Sequence, residues 1–260
     1  MSVLKLLIFA LFLTAGCAAQ DLKVAAAADL SSVMPSLAAA FEKQTGTHVS
    51  VSLGSSGNFF AQIQNGAPFD VFLSADRSYP EKLQQAGLTV TGTLVSYARG
   101  KLVLWTPNNS HLHFAADKHG TLTGDLKGLL TPDVRRIAIA NPDHAPYGRA
   151  AVAVLQHYGI YYQLRPKLIR GENISQTAQF AQSGNADAAF IAYSIALTEP
   201  MKKQGHVLLL PKESYPPLDQ AAVVLKSSAN KASAERFVEF LHSPEAEAIL
   251  RQFGFEAVPQ

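Results

Sequence analysis

The residues best suited to chemistry lie in short loops that join strand-like to helix-like segments. Gly54-Ser55-Ser56-Gly57-Asn58 is the clearest of them. Its glycines let the backbone turn and approach a ligand, and its serines add hydroxyl donors. A helix beginning after such a loop presents free N–H groups and a partial positive charge, which together suit an anion. The same loop also reads as an ordinary capped turn. Asn141-Pro142-Asp143-His144-Ala145-Pro146-Tyr147-Gly148-Arg149 and Gly171-Glu172-Asn173-Ile174-Ser175 stand in equivalent positions farther along. His144 has no second histidine at ligand spacing, so it reads as a surface side chain and not a metal ligand. Arg149 either pairs with an oxyanion or is solvated. Glu172 near an anion would repel it, so its carboxylate is expected to face away. Tyr193 closes the apolar run Phe190-Ile191-Ala192-Tyr193. It is either a core tyrosine bonded to backbone or a ligand contact.

The chain carries no Gly-x-Ser-x-Gly elbow, no His-Glu-x-x-His, no Walker-type phosphate loop and no Cys-x-x-Cys. An enzyme would have to work with Asp29, Glu172 or His144, the acid and base groups of these loops.

Strand-like and helix-like segments alternate from residue 22 onward, which predicts an α/β fold with mainly parallel sheets. Strands are expected at 22–27, 48–53, 69–74, 101–105, 136–140, 167–169, 188–193, 207–210 and 220–225. Pro35 fits only the first turn of a helix, which makes Ser32, or Ser31, the expected N-cap. Ser78-Tyr79-Pro80-Glu81 has the spacing of a capping box. Helices are also expected at 150–157 and 176–183, and Ser243-Pro244 opens the last one in serine-cap, proline-first order. Two blocks of this kind imply two lobes, 21–97 with 219–260 and 98–218, joined by crossing segments near 95–100 and 216–221. Small ligands bind between lobes and beyond the carboxyl ends of strands. That points to the loops at 28–32, 54–58, 141–149, 171–175 and 193–194.

Composition narrows the function further. The chain has 260 residues with 22 basic and 20 acidic side chains, and no basic run, which argues against nucleic acid as a partner. Residues 1–19 hold a single charge, Lys5, ahead of the apolar run Leu6 to Leu13 and a small-residue exit, as a secretory signal does. Cys17 is the only cysteine, so no internal disulfide forms. Thr14-Ala15-Gly16-Cys17 resembles a lipobox, so the product is either soluble or lipid-anchored at Cys17.

Several motifs in order make the chain similar to one family. They are Val24-Ala25-Ala26-Ala27-Ala28-Asp29-Leu30, Gly54-Ser55-Ser56-Gly57, Asn65-Gly66-Ala67-Pro68-Phe69-Asp70-Val71-Phe72, Ala75-Asp76, Asn141 through Gly148, Gly171 through Gln176 and Phe253-Gly254-Phe255. Together they resemble the periplasmic molybdate-binding proteins of ABC importers, a branch of the type II periplasmic-binding-protein fold. The resemblance implies a non-enzymatic, monomeric, extracytoplasmic receptor without a cofactor. Its partners are an oxyanion, molybdate or tungstate, and the membrane permease of an importer. The only metal is the one inside the oxyanion. By motif, the anion contacts fall on Asp29, Ser56, Tyr147, the backbone N–H of Ile174 and the hydroxyl of Tyr193. Many members carry serine where this chain has Asp29. A carboxylate beside a dianion is costly in a dry cleft. The side chain is therefore expected to turn into the following helix N-terminus, with Ser31 or Ser32 supplying the hydroxyl. Sulfate or another oxyanion, and a dehydratase-like enzyme on the same fold, are the alternatives.

Overall fold

The structure, a computed structural model, describes residues 21–258; the expected export signal and Cys17 lie outside them. Ten strands form two five-stranded sheets. The first holds β1 (Leu22–Ala27), β2 (Val49–Gly54), β3 (Val71–Ser74), β4 (Val95–Gly100) and β10 (Leu218–Val224) in the order β2-β1-β3-β10-β4. The second holds β5 (Leu102–Pro107), β6 (Ile137–Ala140), β7 (Leu168–Gly171), β8 (Ala188–Ala192) and β9 (Gly205–Leu209) in the order β7-β6-β8-β5-β9. The two orders are the same arrangement twice. Three parallel strands come first, then one reversed strand, then an edge strand antiparallel to it. The reversed strands, β10 and β5, are the ones through which the chain changes sheets. The first change falls at Lys101, between β4 and β5, so the first sheet keeps the chain through Gly100.

Helices cover the sheets: α1 (Met34–Thr45), α2 (Ser56–Gln64), α3 (Ser78–Gln85), α4 (Pro146–His157), α5 (Tyr161–Leu164), α6 (Ile174–Gln182), α7 (Tyr193–Ala196), α8 (Glu199–Gln204), α9 (Lys231–Phe240) and α10 (Pro244–Gln252). Side chains alternate across a strand, so a sheet covered on both sides must be apolar at every position. The first sheet shows this. Val24, Ala26, Val71, Leu73, Ala222 and Val224 pack with Leu37, Phe41, Phe237 and Leu250 on one face. The intervening Ala25, Phe72 and Val223 pack with Phe59, Ile63 and Leu83 on the other. The second lobe has one continuous core around Trp105, Phe190 and Ile191.

Two caps differ from expectation. Ala28–Leu30 forms a 3-10 turn that leads through Ser31–Val33 into α1, so Val33 holds the N-cap position in αR conformation with no side-chain cap. The hydroxyls of Ser31 and Ser32 are used elsewhere, as shown below. Ser78 is inside α3, and Asp76 Oδ1 takes its N–H at 2.8 Å, while Glu81 pairs with Arg77 Nε at 2.8 Å. An aspartate upstream outcompetes the serine because a charged acceptor makes the stronger bond to an N–H. Ser243 caps α10 as expected, accepting from Ala246 N at 3.1 Å with Pro244 first in the helix. Ser243→Ala is expected to cost about 1 kcal/mol. For a chain of this size that is a fall of roughly 2–4 °C in Tm, read by calorimetry.

Candidate anion site

The loops leaving β1, β2, β6 and β7 converge on one small cavity between the lobes. Ala28, Asp29, Ser55, Ser56, Ala75, Tyr147, Asn173 and Ile174 are among its walls, and its free volume is only about 10 Å³. Drug-sized ligands need roughly 300–1,000 Å³, far more than this site offers. Three helices begin at this cavity. Ser55 caps α2 by accepting from Asn58 N at 3.3 Å, and Asn173 caps α6 by accepting from Gln176 N at 3.0 Å. The third, α4, starts at Pro146, four residues ahead of the expected start, because proline's missing N–H suits a first-turn position. N–H groups of a first turn have no acceptor in their own helix. Ser56, Tyr147 and Ile174 bring such groups to the cavity, each at the positive end of a helix dipole. The Ser56 hydroxyl adds another donor. Its oxygen already accepts from Ala75 N at 3.0 Å, so its hydrogen is free for a ligand.

Of the five residues singled out from sequence, Asp29, Ser56, Tyr147 and Ile174 share this cavity. Tyr193 is not among the lining residues. It opens α7, takes the Lys101 ammonium over its ring at 5.6 Å and donates its backbone N–H to Lys101 O at 2.9 Å.

Asp29 corrects the expected placement. Its side chain does not turn into the α1 N-terminus. It is 1% exposed, and Oδ2 accepts from the Tyr147 hydroxyl at 3.1 Å and from Gln220 Nε2 at 2.8 Å. Burial pushes its carboxyl from 3.8 up to about 7, and those donors, with its own backbone N–H, pull only partly the other way. The same burial, with the Asp29 charge, holds the Tyr147 phenol well above its ordinary range. The Tyr147 hydroxyl lies against Gly100, where an added Cβ would overlap it, so glycine at the end of β4 leaves room for the phenol. Ser31 and Ser32 do not supply a hydroxyl to the cavity. Ser32 Oγ donates to Ser194 O at 3.1 Å, and Ser31 Oγ lies 3.3 Å from Ser175 Oγ.

These last bonds cross from one lobe to the other, and more do the same. Ser175 Oγ donates to Ala28 O at 2.9 Å and Ser194 Oγ to Asp29 O at 2.6 Å. Gly57 N donates to His144 O at 2.9 Å, and Ser55 Oγ sits 2.9 Å from His144 Nδ1. Arg149 pairs with Asp76 and donates to the Tyr79 hydroxyl at 3.0 Å. The cleft is therefore closed.

His144 is not the solvated surface side chain expected of it. Only 19% of its side chain is exposed. Asn141 Oδ1 accepts from Asp143 N at 3.2 Å, which turns Nδ2 of the same amide toward His144 Nε2 at 3.0 Å. Ser55 Oγ and His144 Nδ1 share one hydrogen, and the ring tautomer sets which of them donates it. Glu172 has 70% of its side chain exposed and sets Oε2 3.6 Å from His144 Nε2. Arg149 is committed to the partner lobe. A half-exposed pair of this kind is worth ~0.2–1 kcal/mol, so Arg149→Ala should weaken ligand binding by at most about fivefold, less at high salt. Titrations at two ionic strengths read both effects.

Sequence reasoning missed Gln220 and Tyr97. Gln220 is 0% exposed, and its Oε1 has no partner; the Tyr97 hydroxyl is likewise buried and unpaired. The one available signal was a glutamine at the head of the apolar run 220–225. Among the described residues no cluster of metal-ligating side chains occurs, and no helix is long and apolar enough to cross a membrane.

Comparison with known proteins agrees with this architecture. A family profile described as bacterial extracellular solute-binding protein matches residues 22–256. The molybdate-binding protein ModA of Rhodobacter capsulatus is 40% identical over 238 residues, covering 92% of this chain and 89% of the relative. ModA of Azotobacter vinelandii is 39% identical over 241 residues, covering 92% of each chain. The solved structure of an Azotobacter vinelandii periplasmic molybdate-binding protein superimposes with a TM-score of 0.82 at 38% identity, covering 92% of this chain and all of that one.

Proposed function

Because the chain belongs to the family of bacterial extracellular solute-binding proteins, we propose that its cleft captures molybdate, or the near-isosteric tungstate, for an ABC importer. The observation that carries this reading is the convergence of three helix N-termini and the Ser56 hydroxyl on one small cavity. Its walls hold no lysine, arginine or histidine. Neutral donors in a water-poor cleft can hold a dianion through dipoles and hydrogen bonds. The relatives named for molybdate supply the identity of the ligand.

In this reading Ser56, Tyr147 and Ile174 donate to the anion, and Asp29 forms the wall behind them. Tyr193, which the family likeness would add, is assigned no contact in the closed form. A ligand that bridges the lobes favours the closed state over the open one, and the importer's permease recognises the closed state. The receptor works as an exported monomer, with residues 1–19 as its export signal. The acid and base groups of the loops serve binding and closure. Asp29 is engaged by Tyr147 and Gln220, His144 by Ser55 and Asn141, and the largely exposed Glu172 lies 3.6 Å from His144 Nε2.

Calorimetric titration of the purified protein with molybdate, tungstate, sulfate and phosphate tests the assignment. Tight binding of the first two is expected, with sulfate and phosphate weaker. Tight sulfate binding with none for molybdate would move the ligand to a smaller oxyanion.

A further inference from the structure

The hinge side of the cavity holds three buried polar atoms without partners: Asp29 Oδ1, Gln220 Oε1 and the Tyr97 hydroxyl. An ionised Asp29 makes the first two pure acceptors, and nothing donates to either. The groups facing Asp29 come from several elements. Tyr147 from α4 and Gln220 from β10 donate to Oδ2. Tyr97 stands on β4, and the Tyr215 phenol lies beyond Tyr147. Ser194 from α7 donates to the Asp29 backbone carbonyl, and Ser175 from α6 to that of Ala28. None of these is a cation. The nearby bases of the hinge, Arg99 and Lys101, are paired with Asp219 and Glu256.

A carboxylate in this setting would face a bound dianion across a low-dielectric cavity with no positive charge between them. One proton on Oδ1 removes that repulsion. It also turns an acceptor without a donor into a donor, on a carboxyl whose neighbouring amide, Gln220, has an unpartnered Oε1. We propose that Asp29 is a carboxylic acid in the closed, loaded cleft, so that capture of a fully deprotonated oxyanion takes up one proton at Asp29 Oδ1. The proposal rests on the oxyanion reading above and makes Asp29 a specificity-determining residue. The protein brings the proton, so the preferred ligand brings none.

The proton comes from solvent, and the sign of the pH dependence follows. Burial in the closed cleft raises Asp29 from 3.8 to about 7, and a dianion pushes it further the same way. A group whose pKa rises on binding favours the complex fully on the acid side, and the advantage is lost as pH climbs through that range. Affinity for molybdate, which is fully deprotonated near neutral pH, should therefore fall with rising pH. The limit for one proton is about tenfold per pH unit, or roughly a hundredfold between about pH 6 and pH 8.

The experiment is calorimetry with molybdate near neutral pH in two non-oxyanion buffers of different protonation enthalpy, with Kd followed across that pH range. Wild type is expected to take up close to one proton per anion. Asp29→Asn is expected to remove both the uptake and the pH slope, because an amide does not titrate. The infrared carbonyl band of a protonated carboxyl should appear in the loaded wild type, which keeps the test open if the variant folds poorly. Uptake of less than about half a proton by wild type, or undiminished uptake by Asp29→Asn, would overturn the assignment. Molybdate binding without uptake sinks the proton alone; no binding of any oxyanion sinks the oxyanion reading with it.

Discussion

Gly57→Ala is expected to weaken oxyanion capture by about five- to a hundredfold while leaving the unliganded protein as stable as before. Gly57 stands in the first turn of α2, on the first lobe, and donates its N–H to His144 O on the second. A Cβ built there meets His144 O at 2.6 Å and His144 Cα and Cβ at 2.8 Å. Backbone atoms of a capped loop cannot swing aside as a side-chain tip can, so the lobes must part by a few tenths of an ångström. Overpacking of this kind costs about 1–3 kcal/mol, which as lost affinity is the stated range. The clash exists only when the lobes meet. In the open protein an alanine at this helix position is tolerated and even favoured over glycine by about 0.5–1 kcal/mol. The check is a pair of measurements, Kd by calorimetry and Tm without ligand. A fall in the unliganded Tm would place the strain in the fold and not in closure.

The same position shows what the sequence made legible. The glycine-and-serine loops after β2, β6 and β7 announce themselves by local composition, and helix starts follow from serine, asparagine and proline placement. Those signals pointed to the loops, and the family resemblance put contacts on Asp29, Ser56, Tyr147 and Ile174, four of the cavity's walls. What a loop's side chains touch across the cleft is a different matter. His144 bonds Ser55 from 89 residues away, and Gln220 bonds Asp29 from 191 residues away. No local pattern encodes such pairs. Gln220 in particular heads the run Gln220-Ala221-Ala222-Val223-Val224-Leu225, whose apolar character reads as core strand, and it is core strand. Only the register of β10 against β4, with its irregularity between Gln220 and Ala221, sets the amide beside Asp29. The caps at Ser32 and Ser78 failed for a related reason. Each serine has the right local position, and in each case a partner elsewhere competes for the role. For Ser32 it is the Ser194 carbonyl across the cleft; for the α3 terminus it is the Asp76 carboxylate.

Ser56→Ala should have an effect of comparable size by a different route. Ser56 is 0% exposed, and its Oγ accepts from Ala75 N, which fixes the oxygen and frees the hydrogen. An O–H given to a dianion is a charge-assisted bond, worth about 1.5–3 kcal/mol, so its loss should weaken molybdate binding about ten- to a hundredfold. The substitution also orphans Ala75 N, which lowers Tm, but Kd is measured on the folded fraction and separates the two. The neighbouring serine provides the contrast. Ser55 Oγ accepts from Asn58 N and meets His144 Nδ1, so its hydroxyl is spent on the α2 cap and on closure. Ser55→Ala should therefore lower Tm by the loss of a cap, about 1 kcal/mol, and weaken binding only several-fold through the lost contact between lobes. If the two variants bind molybdate equally well, the Ser56 hydroxyl does not reach the anion. The site would then rest on the backbone N–H groups of three helix termini, and affinity would answer to backbone geometry, as at Gly57, more than to any single side chain.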